Sequence, residues 1–401
     1  MPTPSHILFI SPQPFFEWRG SPIRVKFNLM ALVAAGYQVD LLTFPIGTEE
    51  PIAGVTVCRV GNPLKIKKVP IGPSVSKVFF DLLLVVKAFR LCRKNRYRVI
   101  HGVEEAGLIA GLLGKCFKAA SIFEKHSDPF SYRAGWAKNM FLRMYAAVER
   151  WSARLADAVI GTGPGLVEQV EQMGVKTRIF HIPDIPSSRQ EPAVAAAEGL
   201  RKQLAIKPQQ VLVTYVGSFA VYQGIDLLFA TIPLVARQCP EVQFMIIGGA
   251  PQEIEQRHQA LVTAQAADAV TFVGRVEPET LPTYLAASDV LLSLRKSGIN
   301  TPLKVLDYMK AGRAIVVTDV PAHRLILDEK VACFVDSDPA AFADRIRELA
   351  HDEYKRRTLG AAARSGYARQ FTFEHHCDRL AACYTYVLAQ RGDDGEQHND
   401  K

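Results

Sequence analysis

Short apolar runs separated by amphipathic stretches recur along the whole chain. Residues 6–11 carry I-L-F-I, a Pro- and Gly-containing loop follows, and a helix-period run over 25–35 ends at Gly36 before the apolar stretch 39–44. Further apolar runs at 99–103, 120–124 and 158–161 alternate with helical stretches at 106–114 and 136–155. Runs this short and this continuous suit strands buried on both faces, and the segments separating them suit crossover helices. The first half therefore reads as parallel βαβ units of a doubly wound sheet.

The pattern breaks once. Over 187–208 the composition shifts to Ser, Glu, Ala, Gln and Pro with one amphipathic segment, and at Val211 the alternation starts again with V-L-V-T-Y-V-G-S-F. Apolar runs at 242–249, 270–274, 290–294 and 314–318 complete the second set. The fold class expected is α/β, with two Rossmann-like doubly wound domains facing a central cleft. The boundaries expected are an N-terminal domain over 1–186, a linker with a leading helix over 187–208 and a C-terminal domain over 209–369. A helix crossing back to the first domain over 370–390 and a polar, disordered tail over 391–401 follow.

One βαβ unit holds the strongest candidate chemistry. After the run ending at Leu294 come Gly298, Asn300, Thr301 and Pro302, then a helix that Gly312 ends and a strand over 314–318. Thr301 reads as the N-cap and Pro302 as the first helical residue. Free N–H groups at such a helix start favour an anion. Lys304 and Asp307, three apart, share a face there: a cation for a phosphate, then a carboxylate for sugar hydroxyls, or a weak surface pair.

In a doubly wound domain, ligands sit outside the carboxyl ends of the strands. In the first domain that position holds Arg19, Gly20, Ser21 and Arg24 after the first strand, Glu104 and Glu105 after another, and His126 after a third. A neutral imidazole there donates to a sugar hydroxyl or stabilises charge. Ordinary solvation of the arginines and a structural histidine are the competing readings.

Composition then narrows the class. With 48% hydrophobic and 22% charged residues in 401, the chain is globular. Its seven cysteines show no C-x-x-C spacing, which argues against a zinc site and a disulfide framework and fits a reduced, cytoplasmic compartment. Residues 1–5 lack Lys and Arg and lead straight into a strand, so no signal peptide is expected. The net charge of +8 is one-sided: residues 1–200 carry 25 basic against 16 acidic side chains, whereas 201–401 carry 23 against 24. The excess gathers over 65–98 (Lys65, Lys67, Lys68, Lys77, Lys87, Arg90, Arg93, Lys94, Arg96 and Arg98), around an apolar helix at 75–92 that its charges bar from spanning a bilayer. A basic amphipathic helix of this kind lies on an anionic membrane surface, or packs in the core with a solvated basic end. Nucleic acid is not expected as a partner, because no binding motif or stacking aromatic series accompanies the charge.

Four stretches in this order carry a resemblance: S-P-Q-P-F with R-G-S-P-I-R, V-G-S-F-A-V-Y-Q-G-I-D-L-L, F-V-G-R-V with L-P-T-Y-L-A-A-S-D-V-L-L-S, and N-T-P-L-K-V-L-D-Y-M-K-A-G-R-A-I-V-V-T-D. The chain resembles the family-4 retaining glycosyltransferases of the GT-B fold over most of its length. The resemblance implies transfer of a sugar from a nucleotide-sugar, UDP favoured, to an acceptor hydroxyl of a saccharide or lipid-linked saccharide. The anomeric configuration is retained and neither a metal nor any other cofactor is required. The donor residues expected are Gly217, Ser218, Gln223, Gly248, Asn300, Thr301, Lys304 and Asp307, with Arg275 and Arg295 nominated beside Lys304 for the diphosphate charge. The acceptor falls to Arg19, Gly20, Ser21, Arg24, Glu104 and Glu105, and His126, Lys304 and Arg275 become the catalytic groups. Three positions depart from the family pattern: Ile299 stands where an acidic residue often contacts the donor sugar, and Ser218 and Gln223 stand where an Arg and a Lys usually grip the diphosphate. Asp307 replaces the usual glutamate.

The competing reading is a catalytically degenerate GT-B protein that binds a nucleotide or saccharide and scaffolds another transferase. Epimerisation of a nucleotide-sugar is a further GT-B reaction; phosphorolysis is disfavoured because no Lys-anchored cofactor motif is present.

Overall fold

The computed structural model describes residues 5–70, 74–128, 136–191, 193–296 and 301–396. Contacts divide the chain into two compact units, Met1–Asp184 with Phe373–Lys401, and Ile185–Thr372.

The first unit holds a seven-stranded sheet. Its strands are β1 (His6–Ser11), β2 (Gln38–Thr43), β3 (Val55–Arg59), β4 (Val99–Val103), β5 (Ala120–Lys125), β6 (Ala158–Gly161) and β7 (Arg178–His181). They lie in the order β3-β2-β1-β4-β5-β6-β7, all parallel. The helices are α1 (Gly20–Ala34), α2 (Val75–Lys94), α3 (Ala106–Phe117), α4 (Trp136–Leu155) and α5 (Pro164–Gln172). Ile7, Leu8, Phe9 and Ile10 of β1 are wholly buried, as a central strand covered on both faces requires. Helix α2 buries Phe80, Leu84, Ala88 and Cys92 at four-residue spacing and leaves Leu82, Val85, Val86 and Phe89 exposed.

The second unit opens with α6 (Val194–Gln203). Its six-stranded sheet runs β10-β9-β8-β11-β12-β13 from β8 (Val211–Val216), β9 (Val242–Ile247), β10 (Val270–Gly274), β11 (Val290–Ser293), β12 (Ala314–Thr318) and β13 (Cys333–Val335), again all parallel. Its other helices are α7 (Ile225–Gln238), α8 (Pro251–Thr263), α9 (Leu281–Ala287), α10 (Leu303–Ala311), α11 (Pro321–Arg324), α12 (Pro339–His351) and α13 (Glu353–Gln370). The last helix, α14 (Phe373–Glu396), returns to the first unit and packs on α1 and β5. It runs through Glu396, so part of the polar tail expected to be disordered from residue 391 is helical.

The strand order reverses direction at the β1/β4 and β8/β11 pairs, and crevices open at such switch points. The strands that the apolar pattern left unnamed, β3, β7 and β13, are short edge strands. β3 reads V-T-V-C-R and β7 R-I-F-H, too mixed in polarity to stand out as apolar runs. Two helix starts also differ from expectation. α1 begins at Gly20, not near Val25, so Ser21 and Arg24 are helical. α10 begins at Leu303 with Pro302 as its N-cap, so Thr301 lies one residue outside, and no side chain caps this helix.

Candidate active site

In the second unit the β8/β11 crevice is built on a close backbone approach. Gly217, just past β8, and Gly248, just past β9, come so near that a Cβ on Gly248 would lie 2.0 Å from the Gly217 carbonyl oxygen. Gly248 has φ 117°, which a side chain resists. A Cβ on Gly217 would meet the Lys304 Nζ at 2.7 Å, so the glycine leaves room for that ammonium.

Lys304 reaches this point from the first turn of α10. Its Nζ lies 4.5 Å from the Tyr215 ring centroid and donates to Gln223 Oε1 at 2.8 Å. Among the described residues no carboxylate pairs with it. Burial, with the nearby Arg295 charge, pushes its pKa down to about 7. A half-buried ammonium with one amide oxygen and one aromatic face for company is a site that an anion completes. Arg295 lies with its guanidinium 5.9 Å from the Tyr222 ring centroid. Below them His323 joins the end of β11 to the end of β12: its Nδ1–H donates to the Thr318 carbonyl at 2.7 Å, and its Nε2 meets Ser293 Oγ at 2.9 Å. Burial drives its pKa to about 4, so it is a neutral prop.

One turn along α10, Asp307 faces a different partner. Its Oδ1 accepts from the Ser187 backbone N–H at 2.7 Å and from Ser187 Oγ at 2.9 Å. Lys310, a turn further, donates to the carbonyls of Ser188 and Gln190 at 2.8 Å each. Helix α10 thus clamps the segment that leads into this unit.

In the first unit the carboxyl ends of β4 and β5 gather a second polar cluster. Glu124, wholly buried, accepts from Arg24 Nε at 2.6 Å, Asn28 Nδ2 at 2.8 Å and His101 Nε2 at 2.9 Å. Desolvation opposes its charge, yet Arg24, His126 and His101 hold the carboxyl well below its ordinary pKa. Arg24 also donates to Asp184 at 3.0 Å. Beside this cluster His126 places Nδ1 2.6 Å from Ser21 Oγ and Nε2 3.3 Å from Glu124 Oε1. Glu104, in left-handed backbone at φ 52°, accepts from the His126 N–H at 3.1 Å and from Ser127 Oγ at 2.9 Å. A non-glycine residue in that conformation at a strand end is strain of the kind found at ligand sites.

Comparison with known proteins decides the family. The family model described as "Glycosyl transferases group 1" matches residues 210–352, and that described as "Glycosyl transferase 4-like domain" matches 28–184. The chain belongs to the group 1 glycosyltransferases of the GT-B fold. A sucrose-phosphate synthase from Thermosynechococcus elongatus superposes with a TM-score of 0.76 over 96% of this chain and 100% of that one, at 24% identity. Anabaena HepE, solved with UDP and glucose, superposes with a TM-score of 0.72 over 94% and 99%, at 16% identity. The GDP-mannose-dependent alpha-(1-6)-phosphatidylinositol monomannoside mannosyltransferase of Mycobacterium tuberculosis is 27% identical over 220 residues. The matched stretch is 53% of this chain and 55% of that relative, about half of each.

Within this glycosyltransferase the expected site residues fall into groups. Gly217, Gln223, Gly248, Arg295 and Lys304 line one crevice, and the Ser218 carbonyl accepts from Tyr215 OH at 2.9 Å. Arg275 is exposed one residue past the edge strand β10. Asn300 and Ile299 lie outside the described residues. The weak Lys304–Asp307 pair does not form, because each has another partner. Of the residues expected in the first unit's site, Ser21, Glu104 and His126 come together. Arg24 is 4% exposed and spent on Glu124 and Asp184, so it is a buried structural cation, not a loop arginine open to an acceptor. Arg19 pairs with Glu17 at 3.2 Å, and Glu105 is ion-paired with Lys77.

Sequence reasoning did not single out Glu124, His101, Tyr215, Ser187 or His323. Glu124 and His101 left a signal, each an ionisable side chain inside an apolar run, at 120–124 and 99–103.

Asp307 yields a prediction. Burial pushes its carboxyl up to about 7 from an ordinary 3.8, against the Ser187 donors and the Lys310 charge. Its folded pKa exceeds the unfolded value, so the stability it contributes is full below about pH 4 and is lost as pH rises through 7. Asp307→Asn keeps an acceptor for Ser187 and removes the charge. Thermal melts should show a higher Tm than wild type at pH 8 and no gain at pH 4. The ceiling is about 4 kcal/mol, from roughly three pK units. A lower Tm at pH 8 would mean that the charged carboxylate supports the fold.

Proposed function

We propose that the chain transfers a sugar from a nucleotide-sugar, UDP-linked by preference, to an acceptor hydroxyl in glycolipid or cell-surface polysaccharide synthesis, with retained configuration. The observation that carries this is the Lys304 ammonium, half-buried beside Gly217 at the β8/β11 switch point with no carboxylate partner among the described residues. A diphosphate would supply the missing counter-charge, and the N–H groups at the start of α10 would add to it. Lys304 and Arg295 stand in for the cations absent at Ser218 and Gln223, so this reading assigns charge neutralisation to side chains and invokes no metal ion. In a front-face mechanism the leaving phosphate takes the acceptor proton, and the protein positions groups and stabilises charge. His126, held by Ser21 and Glu124, is the acceptor-side group nearest such chemistry. UDP is favoured because UDP accompanies HepE in its solved structure. GDP stays in the test because the mycobacterial relative is named for GDP-mannose.

The test is calorimetric titration of the protein with UDP, GDP and ADP. Saturable binding of one nucleotide supports the reading. Binding of none would favour a scaffold that has lost its donor site.

We also place the reaction at an anionic membrane surface. Among the described residues no helix is long and apolar enough to cross a membrane. Helix α2 instead exposes Leu82 (64%) and Phe89 (45%) with Val85 and Val86, next to the exposed Arg90, Arg93 and Lys94. Apolar side chains interleaved with cations suit the headgroup boundary. Sedimentation with vesicles containing an anionic phospholipid should therefore retain the protein at low salt. Arg93→Glu with Lys94→Glu should weaken retention by at least about 30-fold, at about 1 kcal/mol per lost cation. Equal retention on neutral vesicles would refute this placement.

A further inference from the structure

At the other end of the second unit's sheet, where the strands begin, three ligand-type side chains converge that the transfer site does not use. Cys239 is the C-cap of α7, Glu241 immediately precedes β9, and His351 is the last residue of α12. The Cys239 Sγ, a Glu241 carboxylate oxygen and a His351 ring nitrogen all lie within 4.8 Å of one another.

The hydrogen bonds of His351 make this more than proximity. Its Nδ1 is 2.8 Å from the Arg347 carbonyl oxygen, which only an Nδ1–H can satisfy. Its Nε2 is 3.2 Å from Glu241 Oε1. In the neutral ring that Nε2 is a bare lone pair facing a carboxylate lone pair. A divalent cation placed between the two atoms would satisfy both lone pairs. An imidazole whose Nδ1–H is anchored on a backbone carbonyl is also the usual state of a metal-ligating histidine. The 3.2 Å separation matches the edge of a tetrahedron with bonds of about 2.0 Å, which is about 3.3 Å.

We propose that Cys239, Glu241 and His351 form a binding site for a borderline-soft divalent cation, zinc by preference. A sulfur, an oxygen and a nitrogen ligand fit zinc, whereas the thiol disfavours magnesium and calcium. The thiol is wholly buried and the His351 side chain is 64% exposed, so ions enter from the His351 side and a water completes the tetrahedron. Burial, then the Glu241 charge, raise the Cys239 pKa, and Arg347 opposes them. Binding therefore displaces the thiol proton to solvent. The ion would tie the end of α7, the start of β9 and the end of α12 at one point. Its role is to hold the unit together, away from sugar transfer.

The test uses the full-length protein stripped with a chelator. Cobalt(II) titration should give a thiolate-to-cobalt charge-transfer band saturating at one equivalent, and zinc should displace it. The band should vanish in Cys239→Ser. Competition against a chromophoric chelator should show zinc binding at least about tenfold weaker in His351→Ala and in Glu241→Gln. Both positions lie at the surface or its edge, so those variants decide the matter if Cys239→Ser does not fold. Zinc should also raise the Tm of wild type but not of the variants. Absence of a thiolate band in the wild type would overturn the proposal. So would a band or a zinc affinity that survives in the His351 and Glu241 variants, since the ion would then be held by other side chains.

Discussion

Lys304→Met should lower kcat/KM for sugar transfer on the order of 100- to 1,000-fold, the loss of about 3–4 kcal/mol of transition-state charge stabilisation. The same change should make the protein more stable. The Lys304 pKa falls to about 7 in the fold from an ordinary 10.5, because burial penalises the ammonium. The unfolded chain therefore holds the proton more tightly, and stability rises with pH between 7 and 10.5. Below pH 7 the cost of burying the charge is complete. Methionine removes it, so Tm should rise most at pH 6 and least at pH 10. A ligand diphosphate should do what the mutation does, by pairing the charge. At pH 8, UDP binding should then take up a proton, seen as a binding enthalpy that depends on the ionisation enthalpy of the buffer. Unimpaired transfer by Lys304→Met, or binding without proton uptake, would remove this lysine from the donor site.

Glu124→Gln should destabilise the first unit by about 3–5 kcal/mol, because it leaves the buried Arg24 guanidinium short of countercharge and turns an amide donor toward Asn28 or His101. For a unit of this size that is a fall in Tm of roughly 8–15 °C. The pH dependence identifies the group. Glu124 titrates well below its ordinary 4.5 in the fold, so its contribution is full above that value and is lost as pH falls below it. His376 adds a separate loss beginning higher, since burial takes its pKa from 6.5 to about 3 and only the unfolded chain takes up the proton in that window. Wild type should therefore lose stability in two stages on acidification, and Glu124→Gln should keep the first and lack the second. A variant with wild-type Tm would show that the carboxylate is dispensable.

The alternation of sheets and helices was legible because each central strand is a continuous apolar run, and the crevice followed because doubly wound sheets place ligands at known strand ends. Lys304 and Gly217 were legible for the same reason: each lies just beyond a strand end or at a helix start. Arg24 was misread because its role depends on Glu124, 100 residues away, and on Asp184, 160 away. Asp307 was half legible. Its place on α10 was evident, but its partner Ser187 comes from a segment whose polar composition marked it only as a linker. Cys239, Glu241 and His351 have no spacing to betray them, since the third arrives on a helix more than 100 residues after the first. Periodicity reports what a segment buries, whereas these contacts depend on which segments the folded chain brings together.

Helix α14 has a consequence for biosynthesis. Tyr384 reaches the His101 ring at 2.8 Å, His376 reaches Asn28 at 2.8 Å, and Arg391 pairs with Asp157 at 3.1 Å, so the polar heart of the first unit is finished by side chains made after the whole second unit. The second unit is one uninterrupted stretch of chain. On the ribosome the usual order is therefore inverted: the half synthesised first waits, with Glu124 and its partners incompletely covered, while the half synthesised second already has all its parts. A stop codon just before α14 would spare every residue of the β8/β11 crevice and still strand the nascent first unit as a client for chaperones and proteases.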